Sequence, residues 1–132
     1  MKEIFKPGDL KEYKMVVAEA DVAAFHGQVV HPVCSTFTIA REAEWTTRLF
    51  VLAMKEEDEE GVGTFITVNH KAPAFVGEEI KFAGRVESLI GHELICAFEA
   101  KVGDRLIAEG KTGQKIFKKE TLAQRFDRVK QK

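Results

Sequence analysis

The second half of the chain alternates between apolar and polar residues with a period of two. Residues 62–70, 79–87 and 93–102 each follow this pattern, which is typical of strands that bury one face. A fourth strand, residues 105–117, follows a hairpin turn at Gly103-Asp104. The alternation predicts an antiparallel sheet with one side packed and the other exposed to water or paired with another subunit. In the first strand the pattern assigns one face to Val62, Thr64, Ile66, Val68 and His70.

Two glycines interrupt the fourth strand. Gly110 and Gly113 lie within the segment "AEGKTGQKIF". A glycine inside a strand indicates a bulge or a close approach of another backbone. We therefore expect one of these features at both positions.

The first half of the chain is dominated by one long helical segment. It runs from about Phe37 to Glu57 without Gly or Pro, and its middle, "LFVLAM", is apolar almost all round. This indicates a helix that is buried on more than one side. The pattern also predicts a strand at "EYKMVV", a short helix at "EADVAAFHG" closed by Gly27, and a C-terminal amphipathic helix at "KETLAQRFDRVK". The apolar stripe of that last helix consists of Leu122, Phe126 and Val129.

The order of elements defines a fold class. A strand, a long buried helix and four antiparallel strands give an α+β protein of the hotdog architecture, a curved antiparallel β-sheet wrapped around one long central α-helix. The 132 residues contain no internal repeat and no Pro/Gly/Ser-rich linker. We therefore expect a single domain covering residues 1–132.

Composition and charge exclude several functions. The net charge is −1, with acidic and basic residues interspersed, so no basic stripe predicts nucleic-acid binding. No segment approaches the roughly 18 apolar residues of a membrane span, and residues 1–14 contain no apolar leader. The sequence therefore predicts a cytoplasmic protein. Two cysteines, Cys34 and Cys96, do not form a disulfide framework, and His31 with Cys34 lacks the second ligand pair of a zinc site.

Three neighbouring nucleophiles stand at the entry to the long helix, in the stretch "HPVCSTF". Ser35 fits an N-cap, whose side-chain oxygen accepts a hydrogen bond from a free backbone N–H. Cys34 could act as a nucleophile at a helix N-terminus, but only His31 is close enough in sequence to serve as its base, and an inert buried cysteine is favoured. Thr36 carries no distinguishing feature of its own.

Glu44 and His70 are the other candidates for chemistry. Glu44 lies beside Trp45 in a rather apolar part of the helix, and a carboxylate in apolar surroundings is suited to act as a general base. Glu42, on the opposite side of the helix, is expected to be solvated. His70 has inward parity in its strand, which fits either a hydrogen-bonded structural residue or a catalyst. The other histidines fall in or near predicted loops: His26, His31 and His92.

Two stretches together resemble the hotdog thioesterases of the fluoroacetyl-CoA thioesterase family. They are "CSTFTIAREAEW" and "GVGTFITVNHKAPAFVGEEI", followed by the remaining strands as far as "ETLAQRF". In that family a Thr, a Glu eight residues later and a His on the following strand form the catalytic set, which implies Thr36, Glu44 and His70 here. Gly63 matches the family glycine seven residues before the His, and with Phe37 it is assigned to substrate binding. Phe37 and Gln114 differ from the residues usual in the family.

The resemblance implies an acyl-CoA thioesterase that hydrolyses a small or medium acyl-CoA by carboxylate-assisted attack of water. Coenzyme A enters as part of the substrate, and neither a metal nor a separate cofactor is needed. Hotdog domains pair with their sites at the interface, which implies a homodimer or a higher homo-oligomer. Eight residues of straight helix would separate Thr36 from Glu44 by about 12 Å along the axis. Either Thr36 folds back before the first turn, or the site combines two subunits.

Two other functions fit the same fold. The first is a non-catalytic acyl-CoA-binding or sensing protein, in which Glu44 and His70 only line a ligand pocket. The second is a hotdog enoyl-CoA hydratase or dehydratase, which uses an Asp and a His on one loop. The segment "AFHGQVVHPVCS" has no Asp at that position, so the thioesterase interpretation is favoured.

Overall fold

A five-stranded antiparallel sheet and one long helix form the body of the protein, as seen in a computed structural model that describes residues 1–131. The strand order is β1-β5-β6-β7-β4. The sheet strands are β1 (Leu10–Val16), β4 (Glu59–His70), β5 (Glu79–Ile90), β6 (Glu93–Val102) and β7 (Arg105–Lys118). Because β1 and β4 end the order, each has one edge unpaired within the subunit.

The long helix α1 (Thr36–Met54) packs against one face of this sheet and contacts all five strands. Its buried side includes Ile39, Phe50 and Met54, which join fully buried residues of the sheet such as Phe82 and Phe98. The α+β hotdog prediction is confirmed. A second helix, α2 (Lys119–Lys130), follows β7. No helix within residues 1–131 is both long enough and apolar enough to span a membrane.

The predicted helix at "EADVAAFHG" is wrong. Only a single 3-10 turn, Glu19–Asp21, forms there, and a two-stranded hairpin follows, with β2 (Val22–Phe25) and β3 (Gln28–Cys34). The two residues between these strands, His26 and Gly27, have positive φ angles of 53° and 78°. Two successive positive φ angles define the type I′ turn that suits the twist of a hairpin. Gly27 therefore lies in the turn of a hairpin and does not end a helix.

A bulge in β4 changes the predicted face of its first half. Gly63 pairs with Gln114 and Phe65 pairs with Gly113, so Thr64 is an extra residue. Before the bulge, Gly61 and Gly63 face α1, and after it Ile66, Val68 and His70 do so. The prediction that Val62 and Thr64 share the inward face is wrong, because one extra residue exchanges the two faces of a strand.

Gly110 is a close backbone approach and Gly113 lies opposite the bulge of β4, so each shows one of the two expected features. A Cβ atom on Gly110 would lie 1.8 Å from the carbonyl oxygen of Thr67, and one on Gly113 would lie 2.2 Å from the ring of Phe65. No side chain fits in either space. The two glycines thus allow β4 to lie along β7 despite its bulge.

Candidate active site

The entry to α1 is built by Ser35, which caps the helix. The Thr38 N–H donates to Ser35 Oγ at 3.0 Å, and the first helical hydrogen bond runs from Ile39 N to Ser35 O. The capping prediction is confirmed. Cys34 is fully buried, and burial raises the pKa of its thiol to about 11. Because the thiol stays protonated at neutral pH, Cys34 is not a nucleophile in this state.

Thr36 and His70 meet although they come from different elements. Thr36 is the first residue of α1 and His70 is the last residue of β4. Thr36 Oγ1 lies 2.8 Å from His70 Nδ1, and both side chains are exposed on the surface of the subunit. A hydroxyl hydrogen-bonded to an imidazole is the arrangement that activates a hydroxyl or a water molecule held beside it. His26, His31 and His92 lie exposed in turns or on β3, as expected.

Glu44 lies against Gly63 of β4. A Cβ atom on Gly63 would stand 2.7 Å from Glu44 Oε1, so only glycine leaves room for this carboxylate. The Glu44 side chain is exposed, and the apolar surroundings expected from the sequence are not present within one subunit. The relative exposure of Glu42 was also predicted wrongly. Glu42 has only 15% of its side chain exposed and accepts a hydrogen bond from Arg41 at 3.0 Å.

Within one subunit, Glu44 is remote from the Thr36–His70 pair. Since α1 begins at Thr36, a fold-back before the first turn is excluded, and Glu44 lies about 12 Å further along the helix axis. Gly63 and His70 are likewise separated by about 23 Å of extended strand. One subunit therefore presents the three side chains as two separate groups, Glu44 beside Gly63 and the Thr36–His70 pair at the end of β4.

Several large apolar side chains on α1 and β4 are exposed. Phe37 is 77% exposed beside Thr36, and Trp45 and Leu52 on the same helix are 40% and 41% exposed. Phe65 on β4 is 43% exposed. Exposed apolar side chains on a strand with an unpaired edge are typical of an interaction surface.

Gln114 has a structural role that the amino-acid sequence did not predict. It is buried and lies opposite Gly63, and its Nε2 donates to Thr47 Oγ1 at 3.4 Å. Thr112 donates to the same hydroxyl oxygen at 2.9 Å. These hydrogen bonds join β7 to the middle of α1. The departure from the family pattern at Gln114 thus supports the helix on which Glu44 stands.

Other potential binding features lie away from these residues. Two depressions of about 400 and 350 Å³ lie on the outer face of the sheet, and neither is lined by Thr36, Glu44 or His70. Among residues 1–131, no group of three or more His, Cys, Asp or Glu side chains is arranged to hold a metal ion.

The long helix packed against one face of an antiparallel sheet places the protein in the class of hotdog folds. A family model described as fluoroacetyl-CoA-specific thioesterase matches residues 17–120, which is more than half of the chain. The chain therefore belongs to this family, and the predicted thioester hydrolase is confirmed. None of the curated proteins matches it.

Solved structures of other proteins share this fold. A Thermus thermophilus hypothetical protein, described as a thioesterase superfamily member, is 28% identical, with a TM-score of 0.91 over 98% of this chain and 96% of that chain. The fluoroacetyl-CoA thioesterase FlK is 21% identical, with a TM-score of 0.84 over 97% of each chain. A hot-dog-like protein from Thermanaerovibrio acidaminovorans is 18% identical, with a TM-score of 0.88 over 96% of this chain and 94% of that chain. Variants of FlK have been crystallised with fluoroacetate and CoA and with acetyl-CoA.

Replacing Gly63 with Ala is expected to displace the Glu44 carboxylate without unfolding the protein. The new methyl group would stand 2.7 Å from Glu44 Oε1, and a flexible, exposed side chain can move away. We expect a fall of about tenfold or more in kcat/KM for acyl-CoA hydrolysis and little change in the unfolding temperature.

Gly61→Ala is the matched control on the same face of β4. Its methyl group would stand 2.5 Å from Val51 Cγ1 in the core, so this variant should lower the unfolding temperature. Its folded fraction should keep the wild-type kcat/KM. Equal effects of both substitutions on hydrolysis would contradict a specific role for Gly63.

Proposed function

We propose that this protein hydrolyses small or medium acyl-CoA thioesters at a site that contains Thr36, His70 and Glu44. The observation that carries this proposal is the 2.8 Å contact between Thr36 Oγ1 and His70 Nδ1 at the helix entry. Membership of the fluoroacetyl-CoA thioesterase family supports the substrate class, as do the FlK variants crystallised with CoA and with acetyl-CoA.

We propose further that the working unit is a homodimer formed through β4. This strand has 12 residues and an unpaired edge, and it carries the exposed Phe65. Two copies of β4 joined antiparallel would satisfy these backbone groups and merge the two sheets into one. Such an interface is isologous, with the same surface used by both subunits.

The β4 bulge supports a particular register for this pairing. Residues directly opposite each other in antiparallel strands have their side chains on the same face. Gly63 and His70 are seven residues apart, yet both face α1 because Thr64 is an extra residue. With the two-fold axis at Thr67, the Gly63 of one subunit would lie opposite the His70 of the other. Glu44, which packs on Gly63, would then reach the Thr36–His70 pair of the partner subunit.

A hydrolytic mechanism follows for such a composite site. The thioester carbonyl oxygen would face the N-terminus of α1, where the N–H groups of Thr36 and Phe37 precede the first helical hydrogen bond. Glu44 would accept a proton from water as the water oxygen bonds to the carbonyl carbon. When the C–S bond breaks, the sulfur keeps the electron pair and receives, through His70, the proton that Glu44 took from water, so that Glu44 and His70 return to their starting states. The products are a carboxylic acid and CoA thiol.

The Thr36–His70 contact also favours a second route, in which Thr36 attacks the carbonyl carbon directly. His70 would take the hydroxyl proton and pass it to the CoA sulfur as the C–S bond breaks, so that CoA thiol leaves and the acyl group stays on Thr36 as an ester. Water would then hydrolyse this ester to the carboxylic acid and free Thr36. A single turnover quenched with acid separates the two routes, because only direct attack leaves the acyl group on Thr36.

A panel of acyl-CoA thioesters tests the proposed activity. It should contain short linear, branched and aryl acyl groups, with thiol release followed over time. We expect turnover of at least one small or medium acyl-CoA. Binding of acyl-CoA without turnover would contradict the proposal in favour of a sensing protein, and hydration of an enoyl-CoA without thiol release would favour a hydratase.

A further inference from the structure

The loop from Lys71 to Glu78, here called the connecting loop, joins β4, which ends at His70, to β5. It begins directly after His70, where the Lys71 N–H donates to Ile107 O at 2.7 Å. In its middle, the carbonyl oxygen of Ala74 accepts the Cys34 N–H at 2.8 Å. Cys34 is only two residues before Thr36. The connecting loop is thus bonded to the backbone on both sides of the pair.

Arg105 and Glu78 hold this loop in shape. The Arg105 guanidinium donates to both Glu78 carboxylate oxygens, at 2.8 and 2.6 Å, and to the carbonyl oxygen of Pro73 at 2.8 Å. Glu78 also accepts the Phe75 N–H at 2.8 Å. The guanidinium carbon lies 5.7 Å from the centre of the Phe75 ring. One bidentate ion pair therefore fixes three points of the loop, an arrangement that only the planar fork of arginine can make.

The Glu78 carboxyl group stays ionised at neutral pH. Hydrogen bonds from Arg105, followed by the Phe75 N–H, lower the pKa of Glu78 to about 2. Because this pKa is depressed by folding, the ion pair is intact above the ordinary carboxyl pKa and is lost only as pH falls towards about 2. The Arg105–Glu78 ion pair is therefore intact at neutral pH.

We propose that Arg105 and Glu78 are positioning residues that set the distance between Thr36 Oγ1 and His70 Nδ1 by holding the connecting loop. This inference rests on the proposed function only where hydrolysis is the readout. Neither residue touches the pair. Both act through the backbone, because Pro73 lies three residues after His70 and Ala74 is bonded to Cys34. Displacement of catalytic groups by about 1 Å can cost a hundredfold in rate.

Glu78→Gln is the variant that tests the proposal. The amide keeps the size of the side chain and an oxygen for the Phe75 N–H, but it removes the charge that orients Arg105. We expect kcat to fall about tenfold with KM within about twofold of wild type. Glu12→Gln is the matched control, since Glu12 also forms an ion pair, with Lys81 at 2.6 Å, but lies on the outer face of the sheet. It should leave kcat unchanged.

A double-variant comparison separates positioning from general stabilisation. In a Thr36→Val background the distance to His70 no longer matters, so Glu78→Gln should lower kcat less than twofold. An equal fall in both backgrounds would overturn the proposal. Arg105→Lys, which keeps the charge but loses the fork, should behave like Glu78→Gln, and it replaces that variant if Glu78→Gln does not fold.

A spectroscopic readout makes the inference independent of catalysis. In protein labelled with ¹⁵N-histidine, the Nδ1 signal of His70, assigned with His70→Ala, reports the hydrogen bond to Thr36. Glu78→Gln should move this signal towards its position in Thr36→Val, and Glu12→Gln should not. An unmoved signal would overturn the positioning role even if hydrolysis is observed. If the wild type hydrolyses no acyl-CoA, the proposed function fails while the His70 signal still decides the role of Glu78.

Discussion

Replacing Glu44 with Gln is expected to lower kcat/KM for acyl-CoA hydrolysis by about 10²–10⁴-fold. The amide has the shape of the carboxylate but does not accept a proton from water at neutral pH. Glu44 is exposed and contributes no buried contact to the core, so the stability should change by less than about 0.5 kcal/mol. Steady-state kinetics on the best substrate of the panel, together with thermal unfolding, measure both effects.

Glu42→Gln is the control for this experiment. Glu42 stands two residues earlier on the same helix and carries the same charge, but it pairs with Arg41 and not with β4. We expect hydrolysis within about twofold of wild type in this variant. Wild-type turnover by Glu44→Gln would remove Glu44 from the catalytic set, and with it the carboxylate-assisted mechanism.

Mixing two inactive variants is expected to restore activity if each site uses both subunits. Glu44→Gln removes the carboxylate, and His70→Ala removes the imidazole. In a mixed dimer one site would lack both groups, whereas the other would combine Glu44 of one subunit with Thr36 and His70 of its partner. Random exchange makes half of the dimers mixed, so the mixture should reach about a quarter of wild-type activity. Co-refolding the two variants in equal amounts and measuring thiol release tests this.

The opposite result is equally clear. If each site lies within one subunit, every site in a mixed dimer carries one substitution, and the mixture stays as inactive as its parents.

The register of the two β4 strands can be measured separately with Thr67→Cys, which would stand on the proposed two-fold axis. Opposite residues of an antiparallel pair lie within disulfide range, and both native cysteines are buried. Oxidation should cross-link Thr67→Cys, but not Asn69→Cys, two residues further along the same face.

Much of the fold follows from local patterns. The strands β5, β6 and β7 and the helix α1 have long, regular periodicities, because each buries one face. Ser35 was identifiable as a cap since the N-cap interaction is local, between residues three apart. The hairpin around His26-Gly27 was missed because alanine and valine in "DVAAF" fit a short helix as well as a strand. The positive φ at His26 is set by the turn.

For the candidate site, too, one part was predictable from the sequence and another part was not. Residue types and their spacing were enough to single out Thr36, Glu44 and His70 as candidates, since the family motif is a pattern along the chain. Their relation in space depends on long-range packing. The bulge at Thr64 decides which face Gly63 occupies, and the end of β4 decides that His70 meets Thr36. Arg105 and Glu78 lie 27 residues apart and share no motif, so only the folded chain reveals that they fasten the loop between the strands. Periodicity records which side of an element is buried, whereas contacts between distant residues arise only when the elements pack.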